Sequence, residues 1–191
     1  MHPALFYRPG DRLTAVELGA ARLDGHVIEI GEGYMPVDTV EGADARATSV
    51  ADLVPVSTAA CGPTAAWIHG AGDSPPSLHH VRRTSATRLR SGTVARVFYH
   101  EGRAAPDSVQ TIAGVNVIGA LPTAMEMLFE AALAHTDAPW LRALLQVSPG
   151  LLDDVRTCLE STPRRPGRRG AVRLVADLGD ELDAGAALRT S

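Results

Sequence analysis

The stretch Gly62-Pro63-Thr64-Ala65-Ala66-Trp67-Ile68-His69-Gly70 predicts a short buried helix around which the rest of the chain packs. Pro63 has the fixed φ that suits the first turn of a helix, and Gly70 can adopt the left-handed conformation that ends one. Trp67 is one of only two tryptophans, and a tryptophan side chain buries roughly 150–250 Å². We therefore expect the N-terminal elements and the central strands to close over Trp67.

The composition is that of a globular protein whose basic residues are all arginine. The chain has 191 residues, of which 45% are hydrophobic but only 4% aromatic, so Leu, Val and Ala must fill most of the core. All 18 basic residues are arginine. The codon bias of a GC-rich genome explains such a preference, but a guanidinium can also bind a phosphate or a carboxylate through two hydrogen bonds.

Neither the cysteines nor the apolar runs indicate an extracellular or membrane protein. Cys61 and Cys158 match no metal-binding spacing, and we expect no disulfide framework. No run approaches the ~18 consecutive apolar residues that span a bilayer. The N-terminus also lacks the basic start and apolar run of a signal peptide. The sequence therefore predicts a cytoplasmic protein without a membrane partner.

The first third of the sequence predicts a helix followed by a hairpin. Thr14 and Glu17 match a capping box, which predicts a helix that ends near Leu23. Two short β-type runs at 26–30 and 34–37 flank a glycine-rich turn and predict a hairpin. A helix followed by a hairpin is also the back half of a winged helix, and a plain structural hairpin is the alternative. A further helix is expected over 44–54.

The middle of the sequence predicts strands and the last third predicts helices. The candidate strands are 78–84, 93–100, 108–112 and 115–118, with Ala113-Gly114 as a tight turn between the last two. Thr123 and Glu126 predict a second capping box, and helices are expected to start at Pro139 and at Ser148-Pro149. A last helix is expected near 169–178, after a break over 162–167.

These patterns predict an α+β fold with a degenerate winged-helix-like N-terminal part, a central β-rich segment and a helical C-terminal part. We place a winged-helix-like N-terminal region at 1–55. An α+β C-terminal domain with terminal helices is expected at 56–191.

The net charge of −4 conceals two arginine clusters. Residues 1–70 carry a net charge of −5, residues 71–173 carry +4, and residues 174–191 carry −3. The first cluster consists of Arg82, Arg83, Arg88, Arg90, Arg96 and Arg103, and the second consists of Arg164, Arg165, Arg168, Arg169 and Arg173.

Such clusters can neutralise phosphates without reading base sequence. The candidate nucleic-acid-binding residues are Arg82, Arg83, Arg88, Arg90, Arg168 and Arg169. The alternative is that the arginines form a solvated face or pair with the acidic N-terminal third. The pI of about 5.9 also argues against strong affinity for nucleic acid.

No catalytic, metal-binding or cofactor-binding signature accompanies these clusters. Neither Cys-x-x-Cys nor His-Glu-x-x-His is present, and His79 and His80 would face opposite sides of a strand. A phosphate-binding loop of the Gly-x-x-x-x-Gly-Lys type is impossible without lysine, and no Gly-x-Ser-x-Gly motif occurs. We expect no catalytic residue, no metal and no cofactor, and therefore a non-enzymatic protein.

Several ordered stretches together resemble a known family. They are 12–18, 24–34, 65–70, and 112–118 continuing into 122–124. Their order resembles the AbiEi-type antitoxins of bacterial type IV toxin–antitoxin systems, in their actinobacterial branch, over about residues 10–178.

The resemblance implies an N-terminal winged helix-turn-helix followed by a C-terminal domain. It further implies a transcriptional autorepressor that binds promoter DNA and counters a nucleotidyltransferase toxin without forming a stable complex with it. Related actinobacterial proteins add a restriction-endonuclease-like domain. This chain ends before such a module, so no nuclease is expected.

One feature of the sequence departs from the family pattern. The family places a basic recognition helix before the wing, whereas here Leu23-Asp24-Gly25 leads almost directly into the strand at His26. A recognition helix contacts base edges in the major groove. The alternative function is therefore a protein-interaction module of the same fold that has lost specific DNA binding.

Overall fold

The computed structural model describes residues 6–86 and 95–189 and confirms the α+β class. Its N-terminal part consists of helix α1 (Ala15–Leu23), the antiparallel hairpin β1 (Val27–Ile30) and β2 (Gly33–Pro36), and helix α2 (Ala43–Ser49). The helix expected over 44–54 is shorter than predicted, because the chain changes to a 3₁₀ turn at Ala51–Leu53.

The first capping box is confirmed. The Thr14 hydroxyl accepts the backbone amide of Glu17 at 3.2 Å, and the Glu17 carboxylate accepts the backbone amide of Thr14 at 2.8 Å. Only Asp24, Gly25 and His26 separate α1 from β1. There is consequently no room for a second helix between α1 and the hairpin.

A five-stranded mixed sheet forms the centre of the molecule. Its strands lie in the order β5-β4-β3-β7-β6, with bounds β3 (Thr58–Ala60), β4 (His79–Arg83), β5 (Val97–Arg103), β6 (Val109–Ile112) and β7 (Val115–Ile118). The strand predicted over 93–100 begins outside the described residues and corresponds to β5. The central strand β3 has no counterpart among the predicted elements.

Helices cover the sheet and form the C-terminal half. They are α3 (Gly62–Ile68), α4 (Ala120–Ala134), α5 (Pro139–Val147), α6 (Leu151–Ser161) and α7 (Arg168–Arg189). Gly70 follows α3 with a φ of +110°, as its predicted role in ending this helix requires. The last helix is much longer than the segment predicted over 169–178.

Two predicted helix starts are wrong. Helix α4 begins at Ala120 after Gly119, and the Thr123 hydroxyl donates to the carbonyl of Ile118 instead of capping the helix. Glu126 forms an ion pair with Arg82 of the sheet. Ser148-Pro149 does not open α6 either, because Gly150, with a φ of +81°, occupies the cap position.

The core confirms that the N-terminal elements and the central strands close over Trp67. Trp67 is 1% exposed and belongs to a cluster with Phe6 and Met35 from the N-terminal part and Val81 and Val117 from the sheet. A second cluster is formed by the four C-terminal helices and also contains Ala66. Helix α3 therefore lies between the two cores and contacts both.

Candidate nucleic-acid interface

The described members of the first arginine cluster lie on strand β4, at the end of strand β5 or directly before β5, and each of them has a partner. Arg82 forms an ion pair with Glu126 of α4, and its side chain is 22% exposed. Arg96 Nη1 lies 2.8 Å from the Glu32 carboxylate on the β1–β2 turn. Two positive charges of this cluster are therefore neutralised by carboxylates.

Two further arginines of this cluster stabilise the chain where β4 ends. The Arg83 guanidinium donates to the carbonyls of Gly102 and Ala86, at 3.1 and 3.0 Å. Arg103 donates to the carbonyl of Thr84 at 2.8 Å. These bonds satisfy backbone carbonyls, and neither guanidinium has a carboxylate partner among the described residues. Arg88 and Arg90 lie outside the described residues.

The second arginine cluster converges on one cleft. Its five members lie on the α6–α7 connection and on the first two turns of α7, and together they line a cavity of about 730 Å³ at the C-terminal end of α4: Arg164, Arg165, Arg168, Arg169 and Arg173. His135, which ends α4 in the left-handed conformation, also lines this cavity. Among the described residues of the lining none is acidic. We call this cavity the arginine cleft.

The five arginines of the cleft have different surroundings. Arg168 is half-buried, and its guanidinium donates to the carbonyls of Thr162 and Leu159 at the end of α6, at 3.2 and 3.1 Å. The Arg165 guanidinium lies 4.1 Å from the centre of the Phe129 ring. Arg168 is therefore held by contacts within the fold, whereas exposed Arg165 packs against an aromatic ring.

The remaining arginines of the cleft point to solvent. Arg164, Arg169 and Arg173 are exposed, and within the described parts of the chain none of them forms an ion pair. Arg169 and Arg173 are four residues apart on α7 and so share one face of the helix. The N-terminal end of α7 adds a partial positive charge to this region. The arrangement can hold phosphate groups by charge and by bidentate hydrogen bonds.

The sequence singled out Arg168 and Arg169 but not the other members of the cleft as candidate site residues. Arg164, Arg165 and Arg173 belong to the same run of arginines, and the positive charge of that run was the available signal. Their separate surroundings depend on α4 and α6, which come from elsewhere in the sequence.

The fold and the cleft define a small α+β protein with a cationic cleft in its helical half. The family model of the AbiEi antitoxin C-terminal domain matches residues 58–174, which is more than half of the chain. The chain therefore belongs to the AbiEi antitoxin family, and the matched residues run from β3 into α7 and contain the arginine cleft. No curated protein matches the chain. Along the described residues, no helix has the length and apolar character needed to cross a membrane.

Proposed function

We propose that this chain is the DNA-binding antitoxin of a type IV toxin–antitoxin system and acts as a non-enzymatic transcriptional regulator. The observation that carries the proposal is the arginine cleft, which is lined by five arginines and whose described lining contains no carboxylate. Membership of the AbiEi antitoxin family supports the antitoxin role. The proposed partners are promoter DNA and, functionally, a nucleotidyltransferase toxin.

In this proposal the exposed arginines of the cleft bind the DNA backbone. Arg164, Arg169 and Arg173 contact phosphates, while Arg168 and Arg165 hold the cleft in shape. Arg83 is close in sequence to Arg88 and Arg90, and we include these three residues as a second phosphate-contacting set. Arg82, the remaining candidate, forms an ion pair with Glu126. In this proposal it contributes to DNA binding indirectly, through its position on the sheet.

Phosphate contacts of this kind have a measurable salt dependence. Each phosphate that an arginine neutralises releases condensed counterions and makes the slope of log K against log salt more negative by about 0.9. Loss of Arg169 and Arg173 should therefore lower the magnitude of the slope by about 2 if each contacts one phosphate.

The experiment is a gel-shift titration of the DNA upstream of the gene, at several salt concentrations. The test variant is Arg169→Gln with Arg173→Gln. The matched control is Arg142→Gln with Arg156→Gln, which removes the same charge outside the cleft from arginines paired with Glu181 and Asp153. We expect the test variant to bind more weakly with a reduced salt slope, and the control to bind more nearly like the wild type. No shift at low salt, or equal effects of both variants, would refute the proposal.

The toxin relationship is tested separately from DNA binding. Where an adjacent gene encodes a nucleotidyltransferase toxin, co-expression of this chain should restore the growth of cells that the toxin inhibits. The two proteins should elute separately in gel filtration, because type IV antitoxins form no stable complex with their toxins. Co-elution of the two proteins would contradict the type IV assignment without affecting the gel-shift result.

A second candidate function is a protein-interaction module that has lost specific DNA binding. The direct passage from α1 into β1 favours it, because the proposed winged-helix-like region at 1–55 has no recognition helix before its hairpin. A polar cleft of about 540 Å³ also favours it. This cleft is lined by the carboxylates of Glu29, Glu32, Glu41 and Asp73, together with Arg96. This function predicts a protein that does not bind DNA and co-purifies with a partner protein.

A further inference from the structure

A group of side chains of the types that ligate metal ions lies between the sheet and α4, away from the arginine cleft. His100 is on the edge strand β5, and Glu126 and Glu130 are one turn apart on α4. One potential ligand atom from each of the three residues lies within 4.8 Å of the other two. The group therefore joins two elements that are distant in sequence.

The spacing of these atoms is close to that of a coordination sphere. Zinc binds imidazole nitrogen and carboxylate oxygen at about 2.0–2.2 Å, so two ligands of one ion are roughly 3–4.4 Å apart. The limit of 4.8 Å is slightly above this range, so small side-chain rotations would bring the atoms to the coordination spacing. A cavity of about 230 Å³ is lined by Glu130 and by His80, which contacts His100.

A neighbouring histidine side chain orients His100. His80 Nδ1 lies 2.8 Å from His100 Nε2, a contact that fixes the orientation of the His100 ring.

The two carboxylates of the group can accept a further ligand bond. Glu126 accepts a bond from Arg82 through one oxygen, and no described residue donates to its second oxygen. Exposed Glu130 makes no ion pair with any described residue. A divalent cation would compensate the carboxylate charge that Arg82 alone does not balance.

We propose that His100, Glu126 and Glu130 bind a divalent transition-metal ion of the zinc type and so connect β5 to α4. The combination of one imidazole and two carboxylates suits such an ion better than Ca²⁺ or Mg²⁺, which prefer oxygen ligands alone. The proposal does not depend on DNA binding.

The experiment is calorimetric titration of the chelator-treated, tag-free full chain with Zn²⁺, and with Mg²⁺ as the comparison. We expect one site for Zn²⁺ and no comparable binding of Mg²⁺. Because a ligand is removed, Glu130→Gln and His100→Gln should each weaken Zn²⁺ binding about tenfold or more. Exposed Glu160→Gln and His135→Gln serve as matched controls and should bind like the wild type.

A second measurement keeps the proposal testable if His100→Gln folds poorly. In imidazole nitrogen NMR spectra of the wild-type protein, Zn²⁺ should shift the signals of His80 and His100 and leave those of His26 and His135 unchanged. The proposal is overturned if Zn²⁺ does not bind, if Glu130→Gln binds like the wild type, or if the shifted signals belong to other histidines.

Discussion

At the scale of single residues, Gly31 shows why one position in the β1–β2 turn requires glycine. Its φ is +52°, a conformation that residues with a Cβ rarely adopt. A Cβ at this position would also lie 2.2 Å from Ser49 Oγ and 3.3 Å from Trp67 Cη2. Ser49 is buried and Trp67 is the centre of the first core. The missing side chain is therefore what lets the hairpin approach α2 and α3.

We expect Gly31→Ala to lower the free energy of unfolding by about 2–4 kcal/mol, because it adds both backbone strain and an overpacked contact. The matched control is Gly25→Ala. Gly25 has a φ of +76° but would place its Cβ in open space, so strain alone should cost about 1 kcal/mol. Urea denaturation measures both values. Equal losses in the two variants would show that the contact with Ser49 and Trp67 is unimportant.

At the scale of secondary-structure elements, the adjacent residues Arg168 and Arg169 at the start of α7 have different roles. Arg168 donates to two carbonyls at the end of α6 and so couples the two helices. Arg169 is exposed and makes no ion pair within the described chain. Arg168→Gln should therefore lower the free energy of unfolding by about 1–3 kcal/mol, because it leaves those carbonyls without their charged donor.

Arg169→Gln removes the same charge and should change the free energy of unfolding by less than about 0.5 kcal/mol. Arg169→Gln should nevertheless weaken DNA binding. Urea denaturation of both variants measures the stability difference, and gel-shift titration of both measures DNA binding. The assignment of roles fails if Arg169→Gln is the more destabilised variant.

The elements that the sequence predicts well are those whose signals are local. Thr14 and Glu17 cap α1 through contacts within one turn, and Ala113-Gly114 forms its hairpin turn with φ values of +48° and +83°. The second capping box fails because tertiary partners compete: Glu126 pairs with Arg82 on a strand that is distant in sequence. Local patterns carry no information about such partners.

The same reason explains what sequence reasoning misses in the sheet and in the candidate sites. Strand β3 has three small buried residues and no polar alternation, so only its pairing with β4 and β7 identifies it as a strand. The possible metal ligands come from β5 and α4, and no spacing motif links them. The arginine run of 164–173 is visible in the sequence, but its division into structural and exposed members requires the contacts of α4 and α6.

At the scale of the whole molecule, α3 connects the two hydrophobic cores, and Cys61 lies at its start. Cys61 is fully buried and occupies the cap position of α3. Burial, reinforced by the charge of Glu126, raises the pKa of its thiol to about 12. Because both cores meet at this helix, solvent should reach Cys61 only when the molecule unfolds as a whole.

This arrangement predicts a large difference in thiol reactivity between the native and the unfolded protein. In the Cys158→Ser variant, which leaves Cys61 as the one thiol, a disulfide reagent at pH 8 should react at least about a thousandfold more slowly with the native chain than with the urea-unfolded chain. The native protein keeps the thiol protonated and covered, whereas unfolding restores an ordinary pKa. The Cys61→Ser variant, which retains half-buried Cys158 on α6, is the comparison and should show a much smaller ratio. If Cys61 reacts in the native state within about tenfold of its unfolded rate, the two cores separate locally at α3, and the molecule does not unfold as one unit.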